Sequence, residues 1–349
     1  MQGPASFGVV IVNYNSAALA LQAARSALGA QSPNGATKIV IVDNGSPDNS
    51  RSIFRKTLEE KKWPPIKGPD LVEEVSLAEF SNIHPAIAQV ESSKTGQSSL
   101  IPVSGDMEKA NLVILENPQN KGFAAGNNIG LQFLGTRNCS HFLLLNPDAV
   151  LERGALMAFA NCLENPQIGL AGATLLSITP PWPVQAYGGA RLCPLTLLGR
   201  NIGGAKDHGK NIVTLHKRAR TRIDYPVGAA MAFRRDWLDH VGPMDERYFL
   251  YYEEIDWVTA GANRYRPVWA EGAIAYHHHG ASIGSNLGHK TRSALADYHM
   301  IRSRLLFAMK WRPYMLPVLW AIAGAQFIRR LFRGQHDQAR AIIKASLPR

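Results

Sequence analysis

The sequence predicts an α/β protein: a wound, mostly parallel sheet with flanking helices, followed by a helical C-terminal region. Three observations carry this. Short apolar runs recur along the first half, at residues 8–12 (GVVIV), 38–42 (KIVIV), 112–115 (LVIL) and 142–145 (FLLL). Uninterrupted apolar runs of this length are the mark of strands buried on both faces. Each run closes on turn residues, and helical patterns lie between them, which is the alternation that winds a parallel sheet. Beyond about Tyr298 the pattern turns helical and strongly basic.

Taken in order, the first strand closes on Asn13-Tyr14-Asn15-Ser16. Residues 17–28 are rich in Ala and Leu and read as a helix with Ser16 as N-cap. The second strand ends at Asp43-Asn44-Gly45-Ser46-Pro47. Between about 63 and 110 the pattern lapses, and this stretch reads as a surface insertion, partly loop. The third strand runs into NPQNKGFAAGNNIG (117–130), which opens a helix. The fourth strand stops at Asn146-Pro147-Asp148, because proline cannot continue a central strand. Helical character follows at 154–163 and strand character at 168–174. Residues 177–204 are rich in Pro and Gly and read as a loop-built surface. A strand at 225–233, a helix at 253–262 and a strand at 273–279 complete the pattern. The expected division is a domain over 1–297 and a helical region over 298–349.

Hydrophobic residues make up 46% of the 349-residue chain and charged ones 19%, which describes an ordered protein. Cys139, Cys162 and Cys193 are far apart and odd in number, which supports neither a disulfide framework nor a cysteine zinc site and suits a reducing, cytoplasmic setting. The N-terminal apolar run has no basic region before it and reads as a strand, not a leader. The net charge of +11 is uneven: residues 299–349 hold ten Lys and Arg against one acid, Asp337. The rest of the chain holds 28 basic and 26 acidic residues. A basic tail of this kind fits an anionic membrane surface, on the inner face of the plasma membrane. No signature of a nucleic-acid-binding module accompanies it. Residues 314–328 are mostly apolar and flanked by Lys310, Arg312, Arg329, Arg330 and Arg333. They fall short of the roughly 20 residues a span needs, which leaves an in-plane amphipathic anchor or a core helix.

Four constellations carry chemistry. Asp148 lies just past the carboxyl end of a strand, the edge at which open α/β sheets bind ligands. It either holds a divalent cation beside phosphate oxygens or caps a turn. Asp43 occupies the same edge and suits a base or ribose hydroxyls, although no GxGxxG follows the first strand, which excludes a dinucleotide fingerprint. Lys121-Gly122 opens a helix whose amides and dipole favour an anion. Asn127 and Asn128 disfavour a helix interior unless used. Glu253, Glu254 and Asp256 crowd three carboxylates behind an aromatic run, which raises proton affinity and suits a general base. His277, His278 and His279 end a strand and offer at least one imidazole to a metal.

Seven segments, in this order, resemble glycosyltransferase family 2: VVIVNYNS (9–16), IVDNGSPDNS (41–50), NKGFAAGNNIG (120–130), LLLNPDAVL (143–151), VGAAMAFRR (227–235), GPMDERYFLYYEEIDW (242–257) and HHHGAS (277–282). The likeness is greatest to the rhamnosyltransferase-like branch. It implies a GT-A fold and an inverting transfer from a nucleotide-diphospho-sugar, dTDP-rhamnose or a UDP-sugar, to a glycan or lipid-linked hydroxyl, as in cell-envelope polysaccharide synthesis. Asp43 would contact the base, with Asn13 and Tyr14 lining its pocket. Asn120, Lys121, Gly122 and Asn127 would hold the nucleotide. Asp148 would bind Mg²⁺ or Mn²⁺ within an Asp-x-Asp motif whose first acid is here Asn146. Glu254 takes the place of the catalytic base, with Glu253 and Asp256 beside it, and His278 is the expected second ligand, with His277 and His279 as rivals. Tyr298 and Arg302 resemble an element that follows the catalytic domain, with Ser303 where Asn is usual. Two other classes compete. A nucleotidyltransferase would carry a Gly-rich basic loop after the first strand, which Asn13 to Ser16 lack. A non-catalytic binding protein would not need the carboxylates at 253, 254 and 256.

Overall fold

The computed structural model describes residues 6–33, 37–66, 83–92, 98–203, 222–278 and 293–347. Its centre is β1 (Phe7–Asn13), which pairs in parallel with β2 (Thr37–Asn44) on one side and β6 (His141–Leu145) on the other. Beyond β2 lies β5 (Leu112–Asn117), also parallel. Beyond β6 the direction reverses at β13 (Ala230–Arg234), followed by β8 (Ile168–Ser177), β14 (Arg266–His277) and β7 (Ala149–Leu151). All four strands read from the apolar runs are present and adjacent.

The alternation of side chains along β1 explains the two helical layers. Val9 and Ile11 face α1 (Ala17–Gly29), in one core with Ala20, Leu21 and Ala24. Val10 and Val12 face the other way, onto α3 (Phe123–Gly135), in a second core with Leu131 and Leu134. Gly126 and Gly130 let that helix sit on the strand, since a Cβ at either would fall 2.7 and 2.5 Å from Val12 and Val10 side chains. α2 (Ser50–Glu60) and α4 (Ala155–Leu163) join the first layer through Phe54 and Phe159. Each fully buried Leu or Phe contributes roughly 1.5–3 kcal/mol.

The expected surface insertion is partly sheet. β3 (Pro85–Ser92) pairs in parallel with β5, and β4 (Ser98–Ser104) closes the edge antiparallel to β3. The sequence hid these strands because β4 is an exposed edge with polar residues and Pro102, a residue that edges tolerate. Residues 67–82 lie outside the described ones.

The Pro/Gly-rich stretch after β8 is also more regular than expected. β9 (Val184–Tyr187) pairs with β8, and β10 (Gly189–Leu192) forms a small sheet with β11 (Gly199–Asn201) and β12 (Tyr225–Pro226). The expected strand over 225–233 is two strands, β12 and β13, broken at Val227, Gly228 and Ala229. After α5 (Arg235–Val241), α6 (Glu253–Ala260) follows the aromatic run.

The C-terminal region is three helices, α7 (Ala294–Trp311), α8 (Leu316–Phe332) and α9 (His336–Ser346). α7 starts four residues before the expected boundary, capped by Ser293 Oγ accepting from the Ala296 amide. The three helices share a core with Tyr248, Tyr252 and Ile255, so they are built onto the segment that carries the acidic cluster.

Candidate active site

The sheet brings the predicted site residues to one edge. Asn13 at the end of β1 is in register with Asp43 at the end of β2. Asn13 Nδ2 donates to Asp43 Oδ1 at 2.9 Å, and Ser46 Oγ donates to the same oxygen at 2.5 Å. Arg51 Nε approaches Asp43 Oδ2 at 3.4 Å. Asp43 is fully buried, so these donors hold its charge in place, with Tyr14 exposed beside it.

The 117–122 turn packs against this edge through amides. Asn117 Nδ2 donates to Asn44 Oδ1 at 2.9 Å, and Asn44 Nδ2 donates to Asn120 Oδ1 at 3.1 Å and to the Gly122 carbonyl at 3.0 Å. Gly122 has φ +99, and a Cβ there would lie 2.4 Å from the Phe249 carbonyl, so only glycine fits. That carbonyl accepts from the Phe123 amide at 2.9 Å, which ties the start of α3 to the aromatic run before α6. Lys121 is exposed at this corner. Asn127 and Asn128 serve the scaffold. Asn127, 1% exposed, donates to its own helix at the Phe123 carbonyl, and Asn128 brackets Met244 through both its carbonyl and its amide. The structure therefore turns the Asn127 donor onto α3 itself.

Asp148 follows β6 and is buried to 2%. The imidazole brought to it is His277: Nε2 lies 3.3 Å from Asp148 Oδ1. His278 meets Asp148 through the backbone, its amide donating to the Asp148 carbonyl at 2.9 Å, so His277 displaces His278 as the side-chain neighbour. The reason is strand alternation: neighbouring residues at the end of β14 point to opposite faces. His279 lies outside the described residues.

Gln185 sets the His277 ring. Its Nε2 donates to the His277 carbonyl at 2.8 Å, which leaves Oε1 to accept from Nδ1 at 2.9 Å. With the proton on Nδ1, Nε2 turns its lone pair or a second proton toward Asp148. A ring whose far nitrogen donates to a fixed acceptor is the usual orientation of a metal-binding histidine. Asp148 and His277 thus fit a divalent cation whose other ligands are phosphate oxygens and water. Among the described residues no set of three or more His, Cys, Asp or Glu forms a metal cage.

The acidic cluster separates into three environments. Tyr251 and Tyr252 both have positive φ, +68 and +72, a costly conformation for bulky residues. Tyr252 is held there by its hydroxyl on the Leu197 carbonyl at 2.5 Å. This pair of turns starts α6 with Glu253 inward and Glu254 at Gly228. A Cβ on Gly228 would fall 2.1 Å from Glu254 Oε1. Burial pushes the Glu254 carboxyl up, against the backbone donors of Glu254 and Gly228. Glu253 is 3% exposed, and burial with the neighbouring Glu254 charge pushes its carboxyl well up. Asp256 faces the other way and is fully engaged. It accepts from Tyr248 Oη at 3.0 Å, Trp311 Nε1 at 2.6 Å and Lys310 Nζ at 2.9 Å. The structure therefore gives Asp256 the work of clamping α7 to α6, and leaves Glu254 as the carboxylate that faces the turn.

One chain of contacts joins the two carboxylates of interest. The Asn146 amide donates to the Ala229 carbonyl at 2.9 Å, which places the turn holding Asp148 against the turn holding Gly228. Gly228 in turn abuts Glu254. The parts that Gly228, Gln185 and Lys310 play here are not legible in the sequence, where Lys310 reads only as a charge flanking the apolar stretch. The break at 227–229 was the available signal for the first; the others lie far along the chain from their partners. A cavity of about 1340 Å³ opens along the opposite side of α6, lined among others by Tyr225, Ile255, Thr259, Trp269 and Arg312. It includes none of the residues around Asp43 or Asp148.

Comparison with known proteins bears on this geometry. Residues 8–68 match the family model described as glycosyl transferase family 2. No curated protein matches the chain. Among solved structures, GalNAc-T7 with UDP, GalNAc and Mn²⁺ is 13% identical with a TM-score of 0.54, covering 89% of this chain and 49% of that one. TarS of S. aureus in complex with UDP is 14% identical with a TM-score of 0.47, covering 94% and 72%. The mannosyltransferase PcManGT of Pyrobaculum calidifontis, with GDP-Man and Mn²⁺, is 12% identical with a TM-score of 0.49, covering 97% and 85%. The match over residues 8–68 is to glycosyl transferase family 2, and the sheet order together with the likeness to GalNAc-T7 shows the GT-A fold.

Proposed function

We propose that the protein is an inverting glycosyltransferase that moves a sugar from a nucleotide-diphospho-sugar to an acceptor hydroxyl, with Glu254 as the base. The observation that carries this is the contact chain from the Asp148 turn through Ala229 and Gly228 to Glu254. It supports reading a leaving-group site and a proton acceptor at one sheet edge. GalNAc-T7 is described with UDP, GalNAc and Mn²⁺, and the same class of donor and ion suits the residues here.

In this reading Asp43 and Asn13 receive the base, and Asn120, Lys121 and Gly122 lie along the diphosphate. Asp148 and His277 would hold Mg²⁺ or Mn²⁺, an ion that would supply positive charge for the diphosphate leaving group. Asn146 opens that turn and offers a neutral amide where the Asp-x-Asp motif has its first acid. Glu254 takes the acceptor proton as the hydroxyl attacks the anomeric carbon from the face opposite the diphosphate. One displacement breaks the bond to phosphate, forms the new glycosidic bond and inverts the anomeric centre. The raised proton affinity of Glu254 brings it nearer the range in which a base works at neutral pH. The donor is dTDP-rhamnose or a UDP-sugar, the range implied by the sequence resemblance.

Incubation with Mn²⁺ or Mg²⁺ and a panel of nucleotide sugars tests this. Release of nucleoside diphosphate with inverted product supports it. Release of pyrophosphate indicates a nucleotidyltransferase, and binding without turnover for every donor and acceptor offered indicates a binding protein.

A further inference from the structure

α8 has its polarity reversed for a helix that ends in water. Its one buried charge, Arg330, points inward, with Nη2 2.6 Å from Asp297 Oδ2 and Nη1 donating to Gln335 Oε1 at 2.6 Å. Its outward side is apolar. Val318, Trp320, Ile328, Leu331 and Phe332 are exposed, Phe332 by 88%, and Tyr314 in the preceding turn is exposed by 73%. From Pro313 to Ile328 the sequence has no charged residue. The opposite side of the same helix is also apolar, with Leu319 and Ala323 buried against Ile342 and Ala345. A helix apolar on both sides needs a cover for the second.

The charges around this face say what covers it. Arg329 on α8, Arg333 just past its end, and Arg340 and Lys344 on α9 are exposed, and Arg312 stands at the head of the apolar run. A second copy of the chain would set one such cationic rim against another. Anionic lipid headgroups neutralise the rim while the acyl boundary takes Trp320 and Phe332. The apolar stretch, Pro313–Phe332, is 20 residues, longer than the run read from sequence and long enough to cross a bilayer by length alone. α8 nevertheless packs along α7 and α9, so crossing would carry Asp297, Asp337, Arg340 and Lys344 toward the hydrocarbon. We propose that α8 lies in the plane of a membrane surface rich in anionic lipid, with Val318, Trp320, Ile328 and Phe332 in the headgroup boundary. This stands whether or not the proposed chemistry holds, because none of these residues belongs to the candidate active site.

Co-sedimentation of the full chain with phosphatidylcholine vesicles, and with vesicles containing phosphatidylglycerol, tests it. Binding to the anionic vesicles is expected to be roughly tenfold or more stronger and to weaken in high salt. The double variants Trp320→Glu with Phe332→Glu, and Arg329→Glu with Arg333→Glu, are each expected to lose most of that binding with an unchanged melting midpoint. If the first pair lowers the midpoint, Phe332→Ser serves in its place, since that ring makes little contact with the protein. Equal binding to both vesicle types, no binding, or variants that bind like the parent would overturn the proposal. So would a dimer in solution that Phe332→Ser dissociates, which assigns the face to a second copy. Protease protection of α9 inside sealed vesicles would instead show a spanning helix.

Discussion

Gly228 and Glu254 meet with no room for a side chain: a Cβ on Gly228 would stand 2.1 Å from Glu254 Oε1. The glycine therefore sets where the carboxylate rests. Gly228→Ala is expected to push Glu254 aside and lower kcat by roughly 10- to 100-fold, because displacements near 1 Å cost that much in an oriented reaction. The donor KM should change little, since Gly228 lies outside the Asp43 and Lys121 contacts. Steady-state kinetics with the donor varied checks the split; an unchanged kcat would place the reacting atoms elsewhere.

The raised proton affinity of Glu254 makes a pH profile informative. Burial favours its neutral form, so the base is charged only above its raised value. The acid limb of kcat is expected to lie above the ordinary carboxylate range, with a plateau on the alkaline side. Glu253 and Glu254 are adjacent and titrate as a pair, so the limb reports both.

Stability should carry the opposite sign at Glu253. Its folded carboxyl holds a proton more tightly than the unfolded one, so between those two values the native state binds more protons. The stabilisation it gives is complete below the unfolded value and is lost as pH rises through the folded one. Glu253→Gln should therefore flatten the decline of the melting midpoint with rising pH. Calorimetry across mildly acid to neutral pH measures this, and parallel curves for both proteins would contradict it.

Asp256 clamps the tail to the domain through Tyr248, Lys310 and Trp311. Asp256→Ala is expected to destabilise by roughly 3 kcal/mol, the low end for breaking a buried charged group's contacts, because Lys310 is partly exposed. Denaturant unfolding checks the value. Lys310→Met should cost less, since Tyr248 and Trp311 still serve Asp256.

His277 and His278 separate the metal reading. His277→Ala is expected to weaken Mn²⁺-dependent nucleoside diphosphate binding roughly 10- to 100-fold, by analogy with the loss of groups that orient a metal site. His278→Ala should have a smaller effect, since its contact with Asp148 is a backbone one. Thermal shift with nucleoside diphosphate, with and without Mn²⁺, reads both.

Much of this is legible in the sequence. The four apolar runs at β1, β2, β5 and β6 are buried on both faces, and such strands announce themselves by composition. Their turns fix the edge on which Asp43, Asn120 and Asp148 gather. What stayed hidden depends on contacts between distant segments. Asp256 looks like Glu254 in sequence, and only the packing of α7, 54 residues on, separates them by placing Lys310 on one. Asn127 reads as a polar residue in need of a ligand, and its need is met by its own helix. His277 and His278 are identical residues told apart by strand alternation and by Gln185. β4 was invisible because an edge strand is not held to the apolar pattern of the centre.

Sugar transfer by Glu254→Gln, measured alongside nucleoside diphosphate binding to the same variant, addresses the proposed chemistry most directly. Glutamine keeps the shape at Gly228 and removes the base. Transfer should fall by roughly 10²- to 10⁴-fold while the Kd for the nucleotide stays within about twofold. Transfer at the parental rate would show that Glu254 does not accept the proton.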